Sequence, residues 1–193
     1  MLKRKPAQRE FLNSSSRVKK KLEVMMKYNT TFNSYDELYR SEQYEKYDSV
    51  KTYLAPIVDS DTLMLDLGCG TGLLYEYISK ICRKCRTYYV GVDISINMLK
   101  LAKRKILRNE KILSDLILSD AEHLPFRNEC FNAIFAFTVV QNIPCFECFI
   151  SETKRVIKKR SLTIMSIPKK TEMQINISYR SVYNGGHDFV YLI

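Results

Sequence analysis

The sequence has no run of eighteen apolar residues, no signal-peptide pattern and no internal repeat. The first absence excludes a conventional membrane-spanning helix, the second argues against secretion, and the third leaves no period on which a solenoid could be built. An intracellular protein is expected, cytoplasmic or, in a eukaryote, nuclear, with no membrane partner. Six cysteines without a secretory signal then read as reduced thiols, and no disulfide is assigned.

What remains is ordinary for a globular chain: 193 residues, 46% hydrophobic and 27% charged. That length suits one domain able to bury roughly 70% of its unfolded surface. Charge is the unusual quantity. The formal net charge is +10, and Met1 to Lys27 alone holds nine Lys/Arg against two Glu. Such a head is either a solvated leader or an electrostatic footprint for a polyanion such as RNA. "FLNSSSR" favours a flexible start, so residues 1–33 are expected as a basic, flexible segment and 34–193 as the folded domain.

Order is expected from Ser34, where "SYDE" has capping-box spacing between Ser34 and Glu37. Tyr35, Leu38, Tyr39, Tyr47, Val50 and Leu54 continue at near-helical spacing until Pro56 stops the run. Strand and helix signals then alternate. Strands are expected at 63–67, 88–92, 116–118, 133–137 and 162–167, and helices at 72–82, after Ser95, and at 146–158. Strands separated by helices imply right-handed crossovers, so the fold class is α/β: a Rossmann-like, mostly parallel sheet with helices on both faces. In the tail, "EMQINISY", "NGG" and "HDFVYLI" read as a hairpin whose last strand is antiparallel, with a short helix before that strand as the rival.

The chemistry concentrates at "LDLGCGTG", Leu65 to Gly72, at the end of the first strand. Ligands of such sheets sit beyond the carboxyl ends of the strands, where glycines let a substrate approach the backbone. The spacing here is G-x-G-x-G, not the G-x-G-x-x-G that seats a pyrophosphate. Asp66 would also repel a pyrophosphate but suits a ligand with an amino group and a sulfonium. Asp93, ending the second strand, is placed to accept both hydroxyls of a ribose.

With these residues the chain resembles the class I S-adenosylmethionine-dependent methyltransferases. "LDLGCGTG" is similar to their first motif, "VGVDISINMLKLA" to their second, "LSDAEHLPF" to their third and "FNAIFAFTVVQNIP" to their fourth, in order over Leu63 to Pro144 and more loosely to Ile167. The resemblance implies S-adenosylmethionine as cofactor. It implies that Gly68, Gly70 and Gly72 carry the methionine portion, that Asp66 helps hold its amino end, and that Asp93 takes the ribose. Ile94 and Met98 would flank the adenine, Asp120 and Ala121 would meet its amino edge, and Phe137 and Thr138 would line the pocket floor. Met98 also reads as plain core packing, and His123 as a surface residue.

Methyl transfer is an in-line displacement that the protein assists by holding the reacting atoms in line in a desolvated pocket, without a metal. Relatives that methylate amides or exocyclic amines often carry Asn-Pro-Pro-Tyr after the fourth strand, whereas this chain has Val140-Gln141-Asn142-Ile143-Pro144. Gln141 and Asn142 can orient an acceptor but cannot take its proton. They can equally cap the next helix. A nucleophile with a free lone pair, a carboxylate or a guanine N7, fits best. The chain loosely resembles small stand-alone methyltransferases acting on tRNA carboxymethyl groups or rRNA, so RNA is the expected acceptor. A small carboxylic or aromatic acceptor and a catalytically silent binding module are the alternatives.

Two further features carry expectations. Cys82/Cys85 and Cys145/Cys148 have zinc-ligand spacing, but the first pair ends a helix that runs away from the ligand edge. A strand length of about 17 Å therefore separates the pairs, and no shared metal site is expected. The strand at "DLILSD" would lie on a sheet edge without a guarding lysine or proline. A small zinc-binding activator subunit, known for some relatives, could add a strand there; cover by the chain's own N-terminal segment is the alternative.

Overall fold

A computed structural model describes residues 14–169, 180–185 and 188–192. Its centre is a seven-stranded sheet in the order β3-β2-β1-β4-β5-β7-β6, formed by β1 (Leu63–Leu67), β2 (Tyr88–Asp93), β3 (Leu113–Leu118), β4 (Phe131–Ala136), β5 (Ile157–Pro168), β6 (Arg180–Gly185) and β7 (Asp188–Leu192). β3 through β5 run parallel; β7 pairs antiparallel with both β5 and β6. The tail therefore ends in an antiparallel hairpin, but its first strand is Arg180–Gly185, so Asn184 and Gly185 of the expected turn lie within β6; the expected strand at 173–179 lies outside the described residues.

Alternation along the central strands divides the core. Met64, Ala133 and Phe135 point into one layer with α2 (Tyr35–Ser49), α3 (Lys51–Val58) and α4 (Leu73–Ile81), whereas Leu65, Ile134 and Met165 point into the other with α6 (Phe146–Val156). α5 (Ile96–Arg108) covers β2 and β3 through Leu99 and Ala102. Its first turn is capped by Ser95, whose Oγ accepts from Met98 N at 3.3 Å. β3 is an edge strand, as the motif order implied, and Leu113 and Leu118 are exposed on it.

Several expectations are corrected. The chain is ordered well before Ser34: α1 spans Ser14–Thr31, and a 3₁₀ turn, Phe32–Ser34, joins it to α2. Lysine, leucine and methionine are good helix formers, and the hydroxyls of Thr30 and Thr31 satisfy carbonyls of its last turn. Because the chain enters α2 from that turn, Ser34 makes no capping bond; its Oγ donates to Thr31 O at 3.3 Å instead. The run breaks at Val50, and Pro56 lies inside α3, which ends two residues later. Both Cys-x-x-Cys pairs are disulfides, Cys82–Cys85 and Cys145–Cys148, with Cα atoms 5.2 and 5.3 Å apart. A separation of three residues at a helix end brings the Cα atoms within the roughly 4.4–6.8 Å that the bond requires.

Candidate active site

The strands β1, β2 and β4 end around an open cavity lined by residues of their C-terminal ends. Gly68 and Gly70 form one wall, Asp93, Ile94 and Met98 the next, and Asp120 with Ala121 a third. Phe137 and Thr138 line the floor and Asn142 the side. Ten of the thirteen residues picked out from the sequence are therefore brought together.

Gly70 has φ +54°, in the left-handed region, and a Cβ placed on it would meet nothing nearer than Gly68 O at 4.0 Å. Its bareness therefore serves an incoming ligand and the turn itself, not internal packing. Asp93 lies below it: Oδ2 accepts from Gly70 N at 2.9 Å and Oδ1 from Ser95 N at 2.8 Å. Burial pushes its carboxyl above the ordinary range, and these backbone N–H groups only partly oppose that. Each oxygen keeps a lone pair for a ligand hydroxyl, so the residues fit a nucleoside ribose. Asp120 is held differently. Burial raises its carboxyl, but the Lys21 ammonium at 2.5 Å and the Glu122 N–H at 2.9 Å outweigh burial and hold it low.

Three expected residues do not face the cavity. Asp66 is 3% exposed behind the loop and accepts from Tyr89 Oη at 2.6 Å; burial pushes its pKa up to about 7. Gly72 begins α4 at φ +77°, where a Cβ would lie 3.1 Å from Ala102 Cα, so it serves the close packing of α4 on α5. Gln141 donates to Thr138 O at 2.8 Å and braces the floor. Of the two proposed acceptor-orienting amides, only Asn142 reaches the cavity.

The missing side of the site comes from α1. Lys21, Val24 and Tyr28 line the cavity from above, and Tyr35 of α2 joins them. Lys21 is paired with Asp120 and, at 2.6 Å, with the buried Glu122. Asn142 Nδ2 donates to Tyr28 Oη at 2.9 Å, and Asn29 receives the Ser95 hydroxyl at 2.6 Å. The spacing of residues 21, 24 and 28 is helical, but the lysines around them read as a solvated head. Thr138 has a left-handed φ of 59° and is fixed from outside the cavity. Its Oγ1 accepts from Gln43 at 2.8 Å and from Lys46 at 2.9 Å, and buried Lys46 is ion-paired with Glu42 and Asp188, each at 2.7 Å.

Known proteins are similar to this chain. The family described as "Methyltransferase domain" matches residues 65–165, which include the glycine loop, Asp93, Asp120 and the cavity floor. The chain is 30% identical over 112 residues to the ubiquinone/menaquinone biosynthesis C-methyltransferase UbiE of Bartonella quintana, covering 58% of this chain and 43% of that protein. It is 27% identical over 143 residues to the 18S rRNA (guanine-N(7))-methyltransferase of Bos taurus, covering 66% and 48%. The chain thus spans about half the length of the curated relatives it matches. The magnesium protoporphyrin IX methyltransferase ChlM of Synechocystis, solved with bound S-adenosylmethionine, superposes with a TM-score of 0.69 at 18% identity, over 90% of this chain and 95% of that one. With more than half of its residues matched by the family, this chain belongs to the class I S-adenosylmethionine-dependent methyltransferases.

Proposed function

We propose that the chain methylates RNA, at a tRNA or rRNA base or its carboxymethyl group, using S-adenosylmethionine. The cofactor supplies an electrophilic methyl on a sulfonium. The chain supplies position: Asp93 and the Gly70 backbone hold the nucleoside and methionine ends, while Phe137, Tyr28 and Tyr35 exclude water from the transfer path. Among the described residues that line the cavity, Asn142 and Thr138 cannot accept a proton, Asp93 is held by the Gly70 and Ser95 N–H groups, and Asp120 is engaged by Lys21, so neither carboxylate stands free as a general base. That favours an acceptor with its own lone pair.

The observation that supports RNA is the placement of the basic head. α1 lies over the mouth of the cavity with Lys21 on its inner face, and its exposed Lys19 and Lys27 add positive charge to the same helix. A small carboxylic or aromatic acceptor is the second reading, favoured by the aromatic faces of Tyr28 and Tyr35 enclosed beneath the same helix. The exposed edge of β3 leaves room for a small zinc-binding activator strand, which we retain as a proposal.

Labelled methyl transfer to fractionated cellular RNA, set beside small carboxylic and aromatic metabolites, tests the reading. Label in RNA from the native chain, and none from Asp93→Ala, is expected. Label confined to small molecules would overturn the RNA assignment. An intact cofactor affinity in folded Asp93→Ala would overturn the site.

A further inference from the structure

We infer that the outer face of α5 is a phosphate track, a second nucleic-acid contact surface that begins beside the cofactor cavity. It rests on the RNA reading and adds where the polymer lies. α5 has thirteen residues, INMLKLAKRKILR, with five cations and no acid. Lys105 is turned inward, ion-paired with Asp36 at 2.5 Å. Lys100, Lys103, Arg104 and Arg108 are exposed, at spacings that place them on one side of a helix, with Lys111 following just beyond. Among the described residues none of the four has a carboxylate within ion-pair distance, and the hydrogen bond recorded for Lys100 goes to Asn97 at 3.4 Å. Glu110, after the helix, is the nearest acid in sequence, and Leu107 is an apolar residue exposed within the stripe.

A solvated helix would suit mixed charge better. α2 shows that alternative: its Arg40 is paired with Asp36 and Glu76. Four unpaired like charges on α5 repel one another, a cost that a polyanion removes. The location sets that polyanion beside the cofactor cavity. Ile94 and Met98, at the start of α5, line the cavity, and Asn97 donates to Asn29 O of α1 at 3.0 Å. The stripe therefore begins about one turn beyond the adenine side of the cavity and runs from Lys100 to Arg108 for about 12 Å, at 1.5 Å per residue. At about 3.4 Å per phosphate along a stacked strand, that length matches roughly four phosphates, one for each exposed cation. Cation-to-phosphate contacts of this kind fix the register of the strand without reading its sequence.

The test neutralises the stripe. In the full chain, Lys100→Gln, Lys103→Gln, Arg104→Gln and Arg108→Gln are combined, and RNA affinity is measured by filter binding across a salt series. A control variant carries Lys154→Gln, Lys158→Gln and Lys159→Gln, on α6 and the start of β5, on the far side of β1 from α5. The α5 variant is expected to bind RNA at least tenfold more weakly at low salt, with a log–log salt slope shallower by roughly 3, at about 0.7 per lost contact to a single strand. Its calorimetric affinity for S-adenosylmethionine should be unchanged, which also shows that it is folded. An unchanged RNA affinity and slope, or an equal loss in the control, would overturn the track while leaving the RNA reading intact. A native chain that binds no RNA but sediments with vesicles of anionic lipid would overturn both.

Discussion

The carboxylates beneath the glycine loop and the half-buried ones between α2 and α4 are held in opposite ways. Asp66 has a tyrosine hydroxyl and Asp93 has backbone N–H groups, and among the described residues no cation pairs with either, so burial raises both pKa values. Asp36 and Glu76, by contrast, are laced to Arg40, Lys80 and Lys105. Burial works against the charge of Glu76 too, but the Arg40 and Lys80 bonds prevail and hold it at about 2. One region keeps charge uncompensated at the ligand edge; the other neutralises it where only the scaffold benefits. Acids at a binding edge can thus lower stability while preparing a site.

Breaking the first region should give the largest effect, with an unusual sign. The carboxyl of Asp66 has a folded pKa of about 7, above its unfolded value, so the unfolded chain releases that proton more readily. Its contribution to stability therefore falls as pH rises from about 4 through 7. Asp66→Asn should be more stable than the native chain at pH 8, by a few kcal/mol, and the two should converge below about pH 4, as urea unfolding across pH would record. The Lys21 contact is intermediate. Lys21→Met leaves buried Glu122 without its cation and should cost about 2 kcal/mol. It should also speed cofactor release several-fold in stopped-flow measurements, whereas equal release rates would show that α1 does not close the cavity. The smallest effect belongs to the paired region. Glu76→Gln should cost about 1 kcal/mol at pH 7, because surface-side pairs contribute little. With a folded pKa below its unfolded one, Glu76 stabilises above about pH 4.5, and its advantage should vanish as pH falls toward 2.

The ligand edge was legible because it is built from contiguous strand ends. Gly70, Asp93, Asp120 and Thr138 each follow an apolar run that announces its strand, and the parallel sheet delivers them to one edge. Asp66 and Gly72 share those segments but point elsewhere, since side chains alternate along a strand and the turn after β1 reverses direction. The helix over the mouth was not legible. Val18, Leu22 and Met26 are exposed on its outer side while Lys21 and Tyr28 face the cavity, so no single apolar stripe marks an inner face. Gln141 and Asn142 are adjacent in sequence, and only the 3₁₀ turn at Val140–Asn142 decides which of them reaches the ligand.

Lys46 sets an order of assembly. Its ammonium lies between α2 and β7, and Asp188 leaves the ribosome long after it. Until β7 is added beside β5, a cation buried against the end of β4 has only Glu42 to balance it, and the left-handed turn at Thr138 lacks its full brace. Docking of α2 is therefore tied to late synthesis, and a ribosome-bound nascent chain lacking β7 should keep that half of the active-site wall open to proteases and chaperones.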